Sequence, residues 1–131
     1  DIVNVGAWGN PNVGSRSNDW GLKLGTGYGY TQQIVNGLLP NTTYVLSSWL
    51  KWGGVGLLEF GVVDYGGSQL YYNGSRNSGI WDQGTLEFAT GSTNTSARIY
   101  IYVNNATAYS YADDFTLLIK DANTITLGLS L

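Results

Sequence analysis

Hydrophobic and polar positions alternate along most of this chain. In Ala97–Val103, ARIYIYV, residues Ala97, Ile99, Ile101 and Val103 share one side, and Arg98, Tyr100 and Tyr102 share the other. A β-strand turns successive side chains to opposite faces. The aliphatic set therefore predicts a core face, and the Arg-Tyr-Tyr set an outer one. Tyr44–Lys51 divides in the same way, with Tyr44, Leu46, Ser48 and Leu50 against Val45, Ser47, Trp49 and Lys51. In Leu57–Val63 the core residues are Leu58, Phe60 and Val62, opposite Glu59 and Gly61. A glycine inside a strand marks a close approach by another group. Further on, Leu86 and Phe88 turn inward, while Trp81, Gln83, Thr85 and Glu87 alternate away.

Strands are predicted at Ile2–Val5, Gly21–Leu24, Thr31–Val35, Thr43–Trp52, Leu57–Asp64, Gln69–Tyr72, Thr85–Thr90, Ala97–Val103 and Ala108–Ile119, with a last alternating run at Thr124–Leu131. Turn-forming residues separate them: Leu39-Pro40-Asn41, Gly53-Gly54, Gly66-Gly67, Asn73-Gly74 and Asn104-Asn105. No window carries a helical period. Short alternating strands between such turns indicate an all-β sandwich of two antiparallel sheets. We read one domain over residues 1–120, with 121–131 an additional strand or linker of the same domain.

Composition narrows the chemistry. The chain has 131 residues, enough for one domain with a substantial core. It contains no Cys and no His, which excludes a catalytic thiol, a Ser-His pair and the usual zinc or copper ligands. Net charge is −3 and basic residues never occur consecutively, so a nucleic-acid footprint and a polybasic membrane patch are not expected. Ten Tyr and five Trp stand against three Phe. That bias favours rings with a polar handle, suited to a half-wet surface.

An ordered set of segments carries a resemblance: GLKLGTG, VNGLLPNTTYVLSSWLKW, LEFGVVDYGG, WDQGTLEFATGSTNTSARIYIYV and YSYADDFTL. Together they resemble the β-jelly-roll carbohydrate-binding modules of families 4, 9, 16 and 22, over about Gly21 to Leu118. The resemblance implies a galactose-binding-domain-like jelly roll that binds a polysaccharide without catalysis and is appended to a glycoside hydrolase or polysaccharide lyase. It implies a secreted protein, and we expect a monomer. It places a cleft aromatic at Tyr100 or Tyr102 and a polar cleft residue at Gln83. It also implies a structural calcium ion at Asp113 and Asp114, although the Glu that the group's opening strand contributes has its equivalent near Gly9.

The candidate carbohydrate-binding residues are therefore Tyr100, Tyr102, Trp49, Gln83, Trp81, Arg98, Glu59 and Lys51, with the outward rings expected to form a flat shelf. An aromatic ring covers the C–H face of a pyranose, worth on the order of 1–2 kcal/mol per overlap, and flanking polar groups bridge the hydroxyls. A neutral β-linked glucan, mannan or xylan is expected, with a uronate polymer as the alternative given Arg98 and Lys51. Two other readings stand beside this one. The aromatics of an adhesive jelly roll would meet another protein, and Glu59 with Glu87 would form a hydrolytic pair if held about 5–9.5 Å apart across a sugar.

Overall fold

The computed structural model describes residues 16, 21–74, 77–106 and 108–120. Within them run β1 (Leu22–Leu24), β2 (Gly27–Asn36), β3 (Thr43–Lys51), β4 (Leu57–Val63), β5 (Leu70–Asn73), β6 (Trp81–Ala89), β7 (Ser96–Ala106) and β8 (Ser110–Ile119). They form two four-stranded sheets, ordered β1-β8-β3-β6 and β2-β7-β4-β5. All strand pairs are antiparallel. The expected all-β sandwich is the observed architecture. The predicted runs Ile2–Val5 and Thr124–Leu131, and with them the whole tail 121–131, lie outside the described residues.

The alternation decides what lies between the sheets. Tyr44, Leu46 and Leu50 of β3 are buried, as are Leu58, Phe60 and Val62 of β4 and Ala97, Ile99, Ile101 and Val103 of β7. Phe60 lies at the centre, with ring centroids 5.7 Å from Tyr72 and 5.9 Å from Phe115. Ser48 is buried on the same face, and its hydroxyl donates to the Asp113 carbonyl at 3.1 Å. That bond meets the cost of removing the hydroxyl from water.

Two details extend the sequence pattern. Strand β2 begins at Gly27 rather than Thr31, because Tyr28, Tyr30 and Gln32 carry the exposed half of the alternation forward to Ile34. Strand β6 begins at Trp81 and pairs with β3 through Lys51↔Trp81 and Trp49↔Gln83. The β3–β8 register shifts between Ser47 and Trp49, which face Thr116 and Asp113. Asp114 falls in the resulting bulge with φ 51°, a left-handed conformation that Asp tolerates better than most residues.

At one edge the sheets are joined directly. A Cβ on Gly84 would run into the Tyr72 ring, so glycine leaves β5 room to lean that ring toward β6. The Tyr72 hydroxyl then donates to Asp82 at 2.6 Å.

Candidate functional site

The outer face of the β2-β7-β4-β5 sheet carries a tyrosine-lined cleft. Strand β7 lies between β2 and β4, so Tyr102 faces Tyr30 and Glu59, Tyr100 faces Gln32 and Gly61, and Arg98 faces Ile34 and Val63. Each of these outward residues is thereby flanked on both sides. The cleft encloses about 360 Å³ and is lined by Tyr28, Tyr30, Glu59, Val63, Gln69, Arg98, Tyr100 and Tyr102. That volume lies within the range of small-ligand sites.

Tyr100 is the floor. It is only 5% exposed, although it points away from the aliphatic core. Its ring occupies the hollow left by Gly61, where a Cβ would collide with it. Tyr30 stacks above, with centroids 6.2 Å apart and planes 20° from parallel. The Tyr100 hydroxyl donates to Glu59 Oε1 at 2.7 Å and accepts from Gln69 Nε2 at 2.6 Å.

A second network braces the rim. The Arg98 Nε donates to Asp64 at 2.8 Å, and its Nη1 donates to Gln32 Oε1 at 2.9 Å. That amide oxygen also accepts the Tyr30 hydroxyl at 2.7 Å. The polar groups are thus set before any ligand arrives, which lowers the ordering cost of binding. The outer wall is a pair of rings. Tyr28, 67% exposed, meets Tyr102 edge to face at 5.5 Å with planes 75° apart.

The expected flat shelf is therefore corrected to a corner above a floor. Gly61 lets the Tyr100 ring sink and become covered, while Tyr102 stands half-buried against Tyr28. Of the candidate residues, Tyr100, Tyr102, Arg98 and Glu59 converge here. Trp49, Lys51, Trp81 and Gln83 project from β3 and β6 on the outer face of the other sheet. Alternation separates inside from outside, but it does not say which of two outsides a residue joins. Tyr28, Tyr30, Gln32, Asp64 and Gln69 complete the site. The first three were legible as a continued period of two, whereas Asp64 and Gln69 carry no local signal.

The carboxylate pair weighed as a hydrolytic couple does not meet. Glu59 lines this cleft, and Glu87 lies on the other sheet, ion-paired to Lys120 at 2.7 Å. A sugar cannot lie between them.

Asp113 and Asp114 bear on the implied calcium. The Arg16 backbone N–H donates to Asp113 Oδ2 at 2.8 Å, and its Nη1 contacts Asp114 Oδ2 at 2.5 Å. Asp113 Oδ1 accepts the Asp114 N–H at 2.8 Å. The Arg16 guanidinium also lies 3.7 Å from the centre of the Trp49 ring. Calcium takes about six to eight oxygens. Among the described residues no group of three or more acidic side chains converges, and these two carboxylates already accept N–H donors. Both carboxylates are thus engaged by Arg16.

Three phenols titrate late. Burial raises Tyr65. Burial first, then the hydrogen bond to Glu59, pushes Tyr100 up to about 12. The hydrogen bond to Asp82 first, then burial, pushes Tyr72 up to about 12. A folded-state value above the unfolded one stabilises the neutral form. That contribution is fully present below about pH 10 and is lost as pH rises through about 12. Ultraviolet phenolate titration should show Tyr65, Tyr72 and Tyr100 ionising late, with the denaturation midpoint falling over the same window. Synchronous ionisation near pH 10 would contradict both contacts.

No protein-family profile matches the chain. Solved structures share its fold. A family 16 carbohydrate-binding module is 23% identical with a TM-score of 0.66, covering 85% of this chain and 87% of that one. A family 61 module in complex with β-1,4-galactotriose is 17% identical with a TM-score of 0.66, covering 84% and 77%. The xylan-binding CBM22-1 domain of a Paenibacillus barcinonensis protein is 15% identical with a TM-score of 0.60, covering 80% and 75%. The keratan-sulfate endo-1,4-β-galactosidase of Sphingobacterium multivorum is 32% identical over 87 residues, 66% of this chain. The match spans only 20% of that enzyme's length. The fold is the jelly-roll β-sandwich of carbohydrate-binding modules.

Proposed function

We propose that the protein is a non-catalytic module that binds a β-linked polysaccharide in the tyrosine cleft, with β-1,4-galactosyl chains as the preferred class. The observation that carries this reading is the corner formed by Tyr28 and Tyr102 above a polar network that is already hydrogen-bonded. A pyranose stacked on the exposed Tyr28 ring removes C–H surface from water, for on the order of 1–2 kcal/mol. Arg98, Glu59 and Gln69 are placed to meet its hydroxyls.

The 75° angle between the rings bears on the polymer. A flat ribbon cannot lie face-on against both. A chain whose successive residues turn can present one sugar face to each ring. The axial O4 of galactose imposes such a turn on a β-1,4-linked chain, and xylan also rotates from residue to residue. The relatives' names agree with this order, two of them referring to β-1,4-linked galactose and one to xylan. Glucan and mannan rank lower, and a uronate polymer is the remaining alternative for a cleft that contains Arg98. In this reading the module is secreted and holds a neighbouring glycoside hydrolase or lyase domain against its polymer.

Affinity electrophoresis through gels of β-1,4-galactan, xylan, mannan and β-glucan tests this. Galactan should retard the protein most, and Tyr102→Ala should weaken retention by about tenfold or more with the fold unchanged. Retention by none of the polymers would overturn the proposal in favour of a protein-contact role. Equal retention of Tyr28→Ala and Tyr102→Ala with the parent would remove the cleft from it.

A further inference from the structure

The outer face of the β1-β8-β3-β6 sheet bears a composition that the cleft does not use. One residue from each strand lines up across it. Lys23 of β1 pairs with Tyr111 of β8, Tyr111 with Lys51 of β3, and Lys51 with Trp81 of β6. The Lys51 ammonium is 4.8 Å from the centre of the Tyr111 ring and 5.0 Å from that of Trp81. The Lys23 ammonium is 3.8 Å from the centre of the Tyr109 ring. Cations and rings therefore alternate over the full width of the sheet.

Cation–π pairing contributes to the sheet by itself, but it does not explain the accumulation of charge. The protein is net negative, with six basic residues in all. Three of them, Arg16, Lys23 and Lys51, gather at this end of one face. The neighbouring row supplies Asp113, and Asp113 and Asp114 are both bonded to Arg16. Lys23 and Lys51 are two strands apart, which sets their backbones roughly 10 Å from each other. A disaccharide is of comparable length.

We propose that this row is a second glycan-binding surface, separate from the tyrosine cleft, that takes a polysaccharide carrying sulfate or carboxylate groups. The rings take the C–H faces of the sugars, and the two ammoniums take anionic groups on alternate residues. Neutral polymers use only the rings and bind poorly. Nucleic acid is disfavoured, because the row is short and the protein as a whole repels polyanions of high charge density.

The test compares the parent, the Lys23→Gln/Lys51→Gln double variant and Tyr102→Ala by affinity electrophoresis. The gels contain keratan sulfate, polygalacturonate, neutral β-1,4-galactan or single-stranded DNA. At least one acidic polymer should retard the parent, with retention falling as salt rises. The double lysine variant should lose about tenfold or more of that retention and keep its mobility in galactan. Preference for keratan sulfate identifies sulfate as the recognised group, and preference for polygalacturonate identifies carboxylate. Tyr102→Ala should keep most of its acidic-polymer retention, which separates failure of this surface from failure of the cleft. Unchanged retention of the double variant in the acidic gels overturns the proposal. Equal retention by DNA, or no retention by either acidic polymer, also overturns it.

Discussion

Phe60→Ala is expected to lower unfolding free energy by about 3–5 kcal/mol, the range for removing a buried aromatic ring. Phe60 is fully buried on β4, and its ring meets Tyr72 from its own sheet and Phe115 from the opposite one. Its removal opens a void between two sheets whose backbones are fixed by their ladders, so the walls cannot close fully around the gap. Native domains are stable by about 5–15 kcal/mol, and the loss would take a large share of that margin. Urea unfolding measures it directly. A change below about 1 kcal/mol would mean that the interface repacks freely and that Phe60 is not central.

Gly61→Ala should damage the cleft more than its size suggests. The added methyl group points outward into the Tyr100 ring, where the nearest atoms are all from that ring. Something has to move, and overpacking of this kind costs typically about 1–3 kcal/mol. The ring cannot sink further, because Gly61 lies beneath it. It must lift toward Tyr30, which breaks the bonds to Glu59 and Gln69. Galactan retention should then fall by about tenfold or more, and the Tyr100 phenol should titrate closer to 10. Tyr100→Phe offers a cross-check, since it keeps the ring and removes only the hydroxyl network. Intact retention in Gly61→Ala would show that the floor has no part in binding.

Particular residues show how far the sequence reached. Ile99 and Ile101 read as core and are buried, and Gly61 read as a point of close approach and is one. Tyr28 and Tyr30 lie before the start predicted for this strand at Thr31, yet they continue its period of two. Pairing with β7 holds that segment in the sheet. Asp64 and Gln69 belong to the site only because β4 and β5 bring them beside Arg98 and Tyr100. Nothing in their immediate neighbours announces this.

The chain by itself determined the all-β class, the sandwich and the inward or outward direction of the residues in β3, β4, β6 and β7. These follow from local geometry, in which one residue's parity depends on the next. Only the tertiary structure decided that Tyr100, Tyr102, Arg98 and Glu59 share one face while Trp49, Lys51, Trp81 and Gln83 share the opposite one. A sandwich has two outer faces of identical local pattern, and strand order, set by pairing between distant segments, distributes residues between them. The same long-range packing turned two outward tyrosines into a floor and a wall, because the height of each ring depends on what the neighbouring strand places beneath it.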